Sequence, residues 1–217
     1  MDYTPSARRL GLISAAATAA LLVAYSVTLT IGFVSLASPD DQIGDPMFTI
    51  LEVLIIVMMP AMVALMVAIH AWASPAAKGF SLMAVVFMGL LCVMTCGIHF
   101  VVLTLSRHPA FAGQSWLPLF IGFEWPSVAY ALDILGWDFF FPLSMLSAAM
   151  VFGGSRLAVW VRGMMIFSGV LALVGLLGAF AGDMHLRNIG IVGYVGLFLV
   201  AVVLLAVLFY REKPKDA

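Results

Sequence analysis

The amino-acid sequence predicts an all-α integral membrane protein: a compact six-transmembrane-helix bundle with both termini cytoplasmic. Three observations predict it. The 217 residues are 64% hydrophobic and only 10% charged, with a mean hydropathy of +1.15, far from the mixture found in water-soluble domains. Apolar runs recur at about the 20-residue length that a helix needs to cross a bilayer. The basic residues between the runs fall unevenly. Arg8, Arg9, Lys78, Arg156, Arg162, Arg211, Lys213 and Lys215 share one side, while the other has only Arg107 and Arg187. The positive-inside rule then puts both termini in the cytoplasm. The expected location is a prokaryotic inner or cytoplasmic membrane, with residues 1–217 forming one transmembrane domain.

The first span, Leu10–Leu36, combines Ala15, Ala16, Ala17, Ala19 and Ala20 with Ser14 and Thr18, a thin surface suited to close helix packing. Arg8 and Arg9 before it, and Ser35, Ala37 and Ser38 near its end, also occur in secretory signals. The apolar run is too long for such a signal and fits a full crossing better. An acidic loop with Asp40, Asp41 and Asp45 then faces outward, between Pro39 and Pro46. The second span, Phe48–Trp72, contains Pro60, which cannot donate to the carbonyl of Ile56 and predicts a bend. In the third, Phe80–Leu105, Cys92 and Cys96 share a helix face but cannot readily reach relaxed disulfide geometry, so reduced thiols are expected.

The longest connection, 107–126, is outward-facing. Its Trp116 and Trp125 and the apolar stretch Leu117–Phe123 suit an interfacial or re-entrant segment, or an anchoring loop. The fourth span, Ser127–Phe152, carries Pro142, which frees the carbonyl of Asp138. The fifth and sixth, Val159–Ala181 and Ile189–Tyr210, hold Gly169, Gly175, Gly178 and Gly182, then Gly190, Gly193 and Gly196. These predict a tight antiparallel hairpin and are read as scaffold. The short turn between them, Asp183 to Asn188 with His185 and Arg187, can drop polar groups over the outer mouth. The two three-helix halves match neither in prolines nor in polar residues, which weakens a transporter built from inverted repeats.

Glu52, His99, Asp133 and Asp138 interrupt the apolar spans. A charge in hydrocarbon costs several kcal/mol unless neutralised, paired or hydrated, so such residues point to an interior site or pathway. Depth brings Glu52, His99 and Asp133 to one layer of the outer half, making them the candidate catalytic acid–base set. The ordinary alternative for His99 is a structural hydrogen bond. Asp138 lies deeper. On a regular helix it points about 140° away from Asp133, so the two acids need not pair; its charge and the carbonyl freed by Pro142 both call for a donor, water or cation. Tyr130 and Trp137 lie at i−3 and i+4 of Asp133 and with Asp138 form the candidate ligand-binding set, the aromatic rings supplying a wall beside a carboxylate. Simple packing of those rings against lipid is the competing reading.

The expected function is an embedded polar and aromatic site for a small amphiphilic or lipid-like ligand, with acid–base catalysis by Glu52, His99 and Asp133. The alternatives are a proton- or cation-coupled transport component routed through Glu52, Asp133 and Asp138, and a structural subunit of a membrane complex. Expected partners are membrane lipids, a small amphiphile, and a second copy or a membrane hetero-complex. Nucleic acid is excluded for want of a basic surface domain.

No cofactor is specified by the sequence. His70 and His99 sit near opposite faces and make no axial haem pair, and no lysine lies inside a span to carry a retinal Schiff base. Phosphate loops, zinc-protease motifs and nucleophile elbows are absent from the sequence. No metal is assigned. The competing metal set is Cys92, Cys96 and His99 at i, i+4 and i+7, which with the Met58, Met62, Met66 and His70 stripe suits Cu(I). Among 14 methionines such a stripe is also ordinary packing.

Overall fold

Each of the six apolar runs is helical. The computed structural model describes residues 3–38 and 41–212. Pro39 and Asp40 of the acidic loop, and Lys213 and Lys215 of the basic tail, lie outside them. The long helices are α1 (Pro5–Val34), α2 (Met47–Trp72), α3 (Lys78–Leu105), α4 (Val128–Ala149), α5 (Arg156–Ala181) and α6 (Met184–Arg211). All six are long and apolar enough to cross a membrane.

Local chemistry sets their ends. The side chains of Thr4, Ser127 and Ser155 accept the backbone N–H groups of Ala7, Tyr130 and Ala158, satisfying donors left open in the first turns of α1, α4 and α5. Asp183 accepts from His185 and Leu186 and starts α6. Gly182, at φ 70°, ends α5 in the left-handed conformation that glycine adopts without steric cost.

Hydrogen bonds at the two ends establish an up-and-down order. At one end Tyr3 donates to the Glu212 carbonyl at 3.2 Å, and Arg8 donates to the carbonyls of Phe209 (2.8 Å) and Tyr210 (2.7 Å), closing the last turn of α6. Trp72 reaches the Glu212 carboxylate from the end of α2 at 3.4 Å. At the other end Gln42 donates to Glu124 at 2.6 Å and Arg107 to Asp45 at 2.9 Å. The start of α1 and the end of α6 therefore share one side of the bundle.

Two helices depart from regular geometry. In α4 a π turn, Leu135–Phe140, separates Val128–Ile134 from Phe141–Ala149. In α6 a second π turn, Val192–Leu197, precedes Phe198–Arg211. The irregularity in α4 directly precedes Pro142, where the sequence predicts a distortion. Helix α2 continues through Pro60, and the carbonyl of Ile56 finds a different donor: the Cys96 thiol, at 3.8 Å. Both cysteines are free.

The half of the bundle near the chain ends is closed by apolar packing. Met59, Met62, Leu65, Met66, Met88, Phe141, Met145 and Phe198 are fully buried there, so the methionine stripe of α2 is core. The outer surface is apolar too. Val23, Val27 and Ile31 on α1, Val86, Leu90 and Val93 on α3, and Phe167, Val170 and Leu177 on α5 are exposed at helical spacings. Such continuous apolar faces are foreign to a monomer surrounded by water.

A buried ionic and aromatic candidate site

The halves of the helices remote from the chain ends converge on a group of charged side chains. Glu52 comes from the second turn of α2, His99 from the last turns of α3, Asp133 and Asp138 from α4, and Arg187 from the first turn of α6. All five are at most 5% exposed. Burial of this depth makes each partner essential to the others, since an uncompensated charge in such surroundings is strongly destabilising.

His99 sits between two carboxylates. Its Nδ1 lies 2.9 Å from Glu52 Oε2 in a hydrogen bond, and its Nε2 lies 3.4 Å from Asp133 Oδ1. An ionised carboxylate only accepts, so Nδ1 carries a hydrogen toward Glu52. The second contact lacks hydrogen-bond geometry: both Nε2 and Asp133 Oδ1 are buried without a hydrogen-bond partner. Two acceptors facing each other across this gap need a proton or an inserted donor between them. Phe123, from the connection preceding α4, tilts over the imidazole at a ring-centroid separation of 4.9 Å.

Arg187 joins the other two acids. One guanidinium nitrogen (Nη2) lies 3.7 Å from Asp133 Oδ2, and Nε lies 3.3 Å from Asp138 Oδ2. Tyr130 and Tyr194 flank the cation, their ring centroids 5.1 and 5.9 Å from its central carbon, a geometry that attracts a guanidinium to the ring faces. Tyr194 in turn packs against Trp137 at 5.2 Å. The chain of side chains thus runs Glu52–His99–Asp133–Arg187–Asp138.

Asp133 and Asp138, which a regular helix would direct about 140° apart, both reach Arg187, and a π turn intervenes. It begins two residues after Asp133 and contains Asp138. Hydrogen bonds that close one residue further on add a residue to the turn, so both carboxylates reach one guanidinium. The second π turn acts similarly on α6. It contains Tyr194 and presents the Gly193 carbonyl to the Ser168 hydroxyl at 2.9 Å.

Arg187 itself, expected in an outer turn, is drawn inward by the glycines. A Cβ on Gly178 would overlap the Arg187 backbone, and one on Gly175 would lie 2.8 Å from the Arg187 carbonyl oxygen. These glycines press the first turn of α6 onto α5. Gly175 and Gly190 also leave the space occupied by Asp138 Oδ1. The residues read as scaffold therefore shape the polar site.

A cavity of about 120 Å³ lies against this network. His99, Asp133 and Arg187 line it with Tyr25, Tyr130, Trp137 and Tyr194, and Leu22, Leu29, Ile55, Met58, Ile191 and Val195 supply apolar wall. Of the residues singled out in the sequence, Glu52 stands behind His99 and Asp138 behind Arg187; His99, Asp133, Tyr130 and Trp137 face the cavity. The sequence singles out neither Tyr25 nor Tyr194, and it offers Arg187 only as one polar group of the outer turn 183–188. For Arg187 a signal exists: Asp138 requires a donor, and Arg107 and Arg187 are the two arginines on the outward side of the spans. Among the described residues no three His, Cys, Asp or Glu side chains converge as a metal site. The Cys92, Cys96 and His99 set thus does not assemble.

Fold and site together define an all-α bundle of six long apolar helices with an ionic and aromatic centre buried in one half. No family model, curated protein or solved structure matches the chain.

Proposed function

We propose that the bundle spans a membrane with both termini on the cytoplasmic side, and that its outward half binds a small amphiphile whose polar group exchanges a proton with the His99–Asp133 pair. The observation that carries this reading is the cavity. It is lined by His99 and Asp133, whose Nε2 and Oδ1 are buried without hydrogen-bond partners, and by Arg187, amid apolar and aromatic side chains. In the acid–base chemistry, Asp133 holds the proton-exchanging edge of the imidazole while Glu52 fixes the opposite nitrogen, and Arg187 balances charge on Asp133. Phe123 and the tyrosines keep water from the pair and contact the apolar part of the ligand.

The transport reading is less well supported by the same geometry. The polar chain ends at Asp138, and Met62, Met66, Phe141 and Phe198 fill the core beyond it. A site reached from one side fits this arrangement better than a continuous polar route.

Native mass spectrometry of the detergent-purified protein tests the proposal. Bound amphiphile should be retained by the wild type and reduced in Asp133→Asn and His99→Gln samples that remain monodisperse. Undiminished binding in both variants would overturn it. Gradient-driven flux in sealed proteoliposomes, without amphiphile binding, would favour the transport reading.

A further inference from the structure

The two ends of the bundle carry opposite charge. Where the chain ends meet, the described residues hold Arg8, Arg9, Lys78, Arg156, Arg162 and Arg211 against the single carboxylate of Glu212, whereas the other end holds Asp41, Asp45, Glu124 and Asp183 against Arg107. Two of the six cations are engaged inside the protein, Arg8 with the carbonyls of Phe209 and Tyr210 and Lys78 with that of His70. The side chains of Arg9, Arg156, Arg162 and Arg211 are exposed and, among the described residues, make no hydrogen bond or ion pair. They fall on one side of the bundle. Helix α5 packs against α6, and α6 against α1, so these four guanidiniums belong to three successive helices, and α2, α3 and α4 add no arginine at this end.

On α5 the cations are set into an apolar surface. Arg156, Val159 and Arg162 follow at three-residue intervals, each step turning about 60° around the helix, so the two arginines flank Val159. Arg162 lies about 9 Å along the axis from Arg156 at the helical rise per residue, between Trp160 and Phe167. Val159, Trp160 and Phe167 are each more than half exposed, and the exposed Val170 continues the apolar face. In a membrane the Arg162 guanidinium stands at the edge of the hydrocarbon, where a cation without a partner is costly and is relieved by an anion at headgroup level. Tryptophan favours the same level. A soluble polyanion would match the charges but leave the apolar face uncovered. A phospholipid has both parts, a phosphate for the arginines and acyl chains for Phe167 and Val170. The surplus of unpaired cations across α5, α6 and α1 selects a headgroup of net negative charge over a zwitterionic one.

We infer that the start of α5 binds an anionic phospholipid of the cytoplasmic leaflet, with its phosphate between the guanidiniums of Arg156 and Arg162 and its acyl chains along Phe167 and Val170. Arg9 and Arg211, on the neighbouring helices, add longer-range attraction for the same leaflet. This site lies at the end of the bundle opposite the ionic cavity. It shares with the reading above only the placement of the bundle across a membrane, so amphiphile binding and phospholipid binding can each fail alone.

Native mass spectrometry of the full chain, released from micelles that contain phosphatidylglycerol and phosphatidylcholine of identical acyl chains, tests the inference. Wild type should retain phosphatidylglycerol roughly tenfold better than phosphatidylcholine, the worth of one or two arginines at a membrane surface. Arg156→Gln and Arg162→Gln should each cut that preference severalfold, and the double variant should abolish it. Arg162→Lys keeps the charge without the planar fork and should retain part of it. Arg9→Gln, on α1, should change it by less than about twofold, since screening limits the reach of an exposed charge. Equal retention of the two lipids by wild type, or an unchanged preference in a monodisperse double variant, would overturn the site. An effect of Arg9→Gln as large as that of the double variant would overturn its location on α5. Displacement of the retained lipid by inorganic phosphate, or by a single-stranded oligonucleotide at matching phosphate concentration, would overturn the lipid assignment, because the acyl chains would then contribute nothing. Amphiphile binding in the outward cavity would stand in each of these cases.

Discussion

Asp138 Oδ1 occupies the space that a side chain on Gly190 would need. A Cβ built on Gly190 overlaps that oxygen, and one on Gly175 comes within 2.9 Å of it. The carboxylate is therefore wedged between α5 and α6 at a point where both backbones are bare. Gly190→Ala should displace Asp138 from Arg187 and destabilise the bundle by about 1–3 kcal/mol, the usual range for overpacking a filled interior. By contrast, Gly79→Ala, where an added Cβ meets nothing within 4 Å, should leave stability unchanged or slightly improved. Equilibrium unfolding in mixed micelles would show the difference, and equal stabilities of the two variants would contradict the packing account.

Arg187 is the cation on which two buried acids depend. Arg187→Met should destabilise by about 3–5 kcal/mol, since it leaves Asp133 and Asp138 near each other without a counter-charge. Combining it with Asp138→Asn should restore part of that loss, because one of the unpaired charges is then absent. Arg187→Lys keeps the charge but not the planar fork that spans 3.7 Å to one acid and 3.3 Å to the other. It should fall between wild type and Arg187→Met. A double variant no more stable than Arg187→Met alone would show that Asp138 and Arg187 are not energetically coupled.

Glu52 selects which nitrogen of His99 carries a hydrogen. With Nδ1 held 2.9 Å from the carboxylate, Nε2 is the edge presented to Asp133 and the cavity. Nitrogen NMR of histidine-labelled protein should show His99 with Nδ1 persistently protonated in the wild type. Glu52→Gln can present either an acceptor or a donor to the ring, so it should erase that preference and weaken amphiphile binding while leaving the helices intact. An unchanged tautomer in the variant would remove Glu52 from this role.

Much of this arrangement is legible in the sequence, for a physical reason. Membrane-length apolar helices carry polar residues only at a cost, so depth along each span locates Glu52, His99 and Asp133 in one layer without knowledge of their rotation. The structure puts them in contact. What the sequence conceals is rotational and depends on irregular turns. The regular-helix angle between Asp133 and Asp138 fails at the π turn, whose residues Leu135–Phe140 carry no local signature other than the following Pro142. Arg187 reads as a loop cation because it precedes the last apolar run, and the bare surfaces of Gly175 and Gly178 explain its inward course. Tyr25 and Tyr194 lie among apolar residues of their helices, and nothing in their immediate sequence separates them from packing residues.

Outside the buried site, Asp45 ties the start of α2 to the end of α3. Its carboxylate accepts from the Thr49 hydroxyl at 2.6 Å and from the Thr49 N–H at 3.2 Å, and pairs with Arg107 at 2.8 Å. The Thr49 hydroxyl first, then the Arg107 guanidinium and the Thr49 N–H, hold this carboxyl below the ordinary carboxylate range. A depressed folded-state value fixes the sign. The stabilisation is fully present above the unfolded value of about 3.9 and disappears as pH falls through the lower folded value. Wild type should therefore unfold at a higher temperature than Asp45→Asn at pH 7, and the gap should shrink as pH falls below about 4. Salt should reduce the gap only in part, since it screens the exposed Arg107 pair but not the hydrogen bonds within the turn. A gap that stays constant from pH 7 down to pH 3, measured by thermal unfolding of both proteins in the same detergent, would show that ionisation of Asp45 contributes nothing to holding these helix ends together.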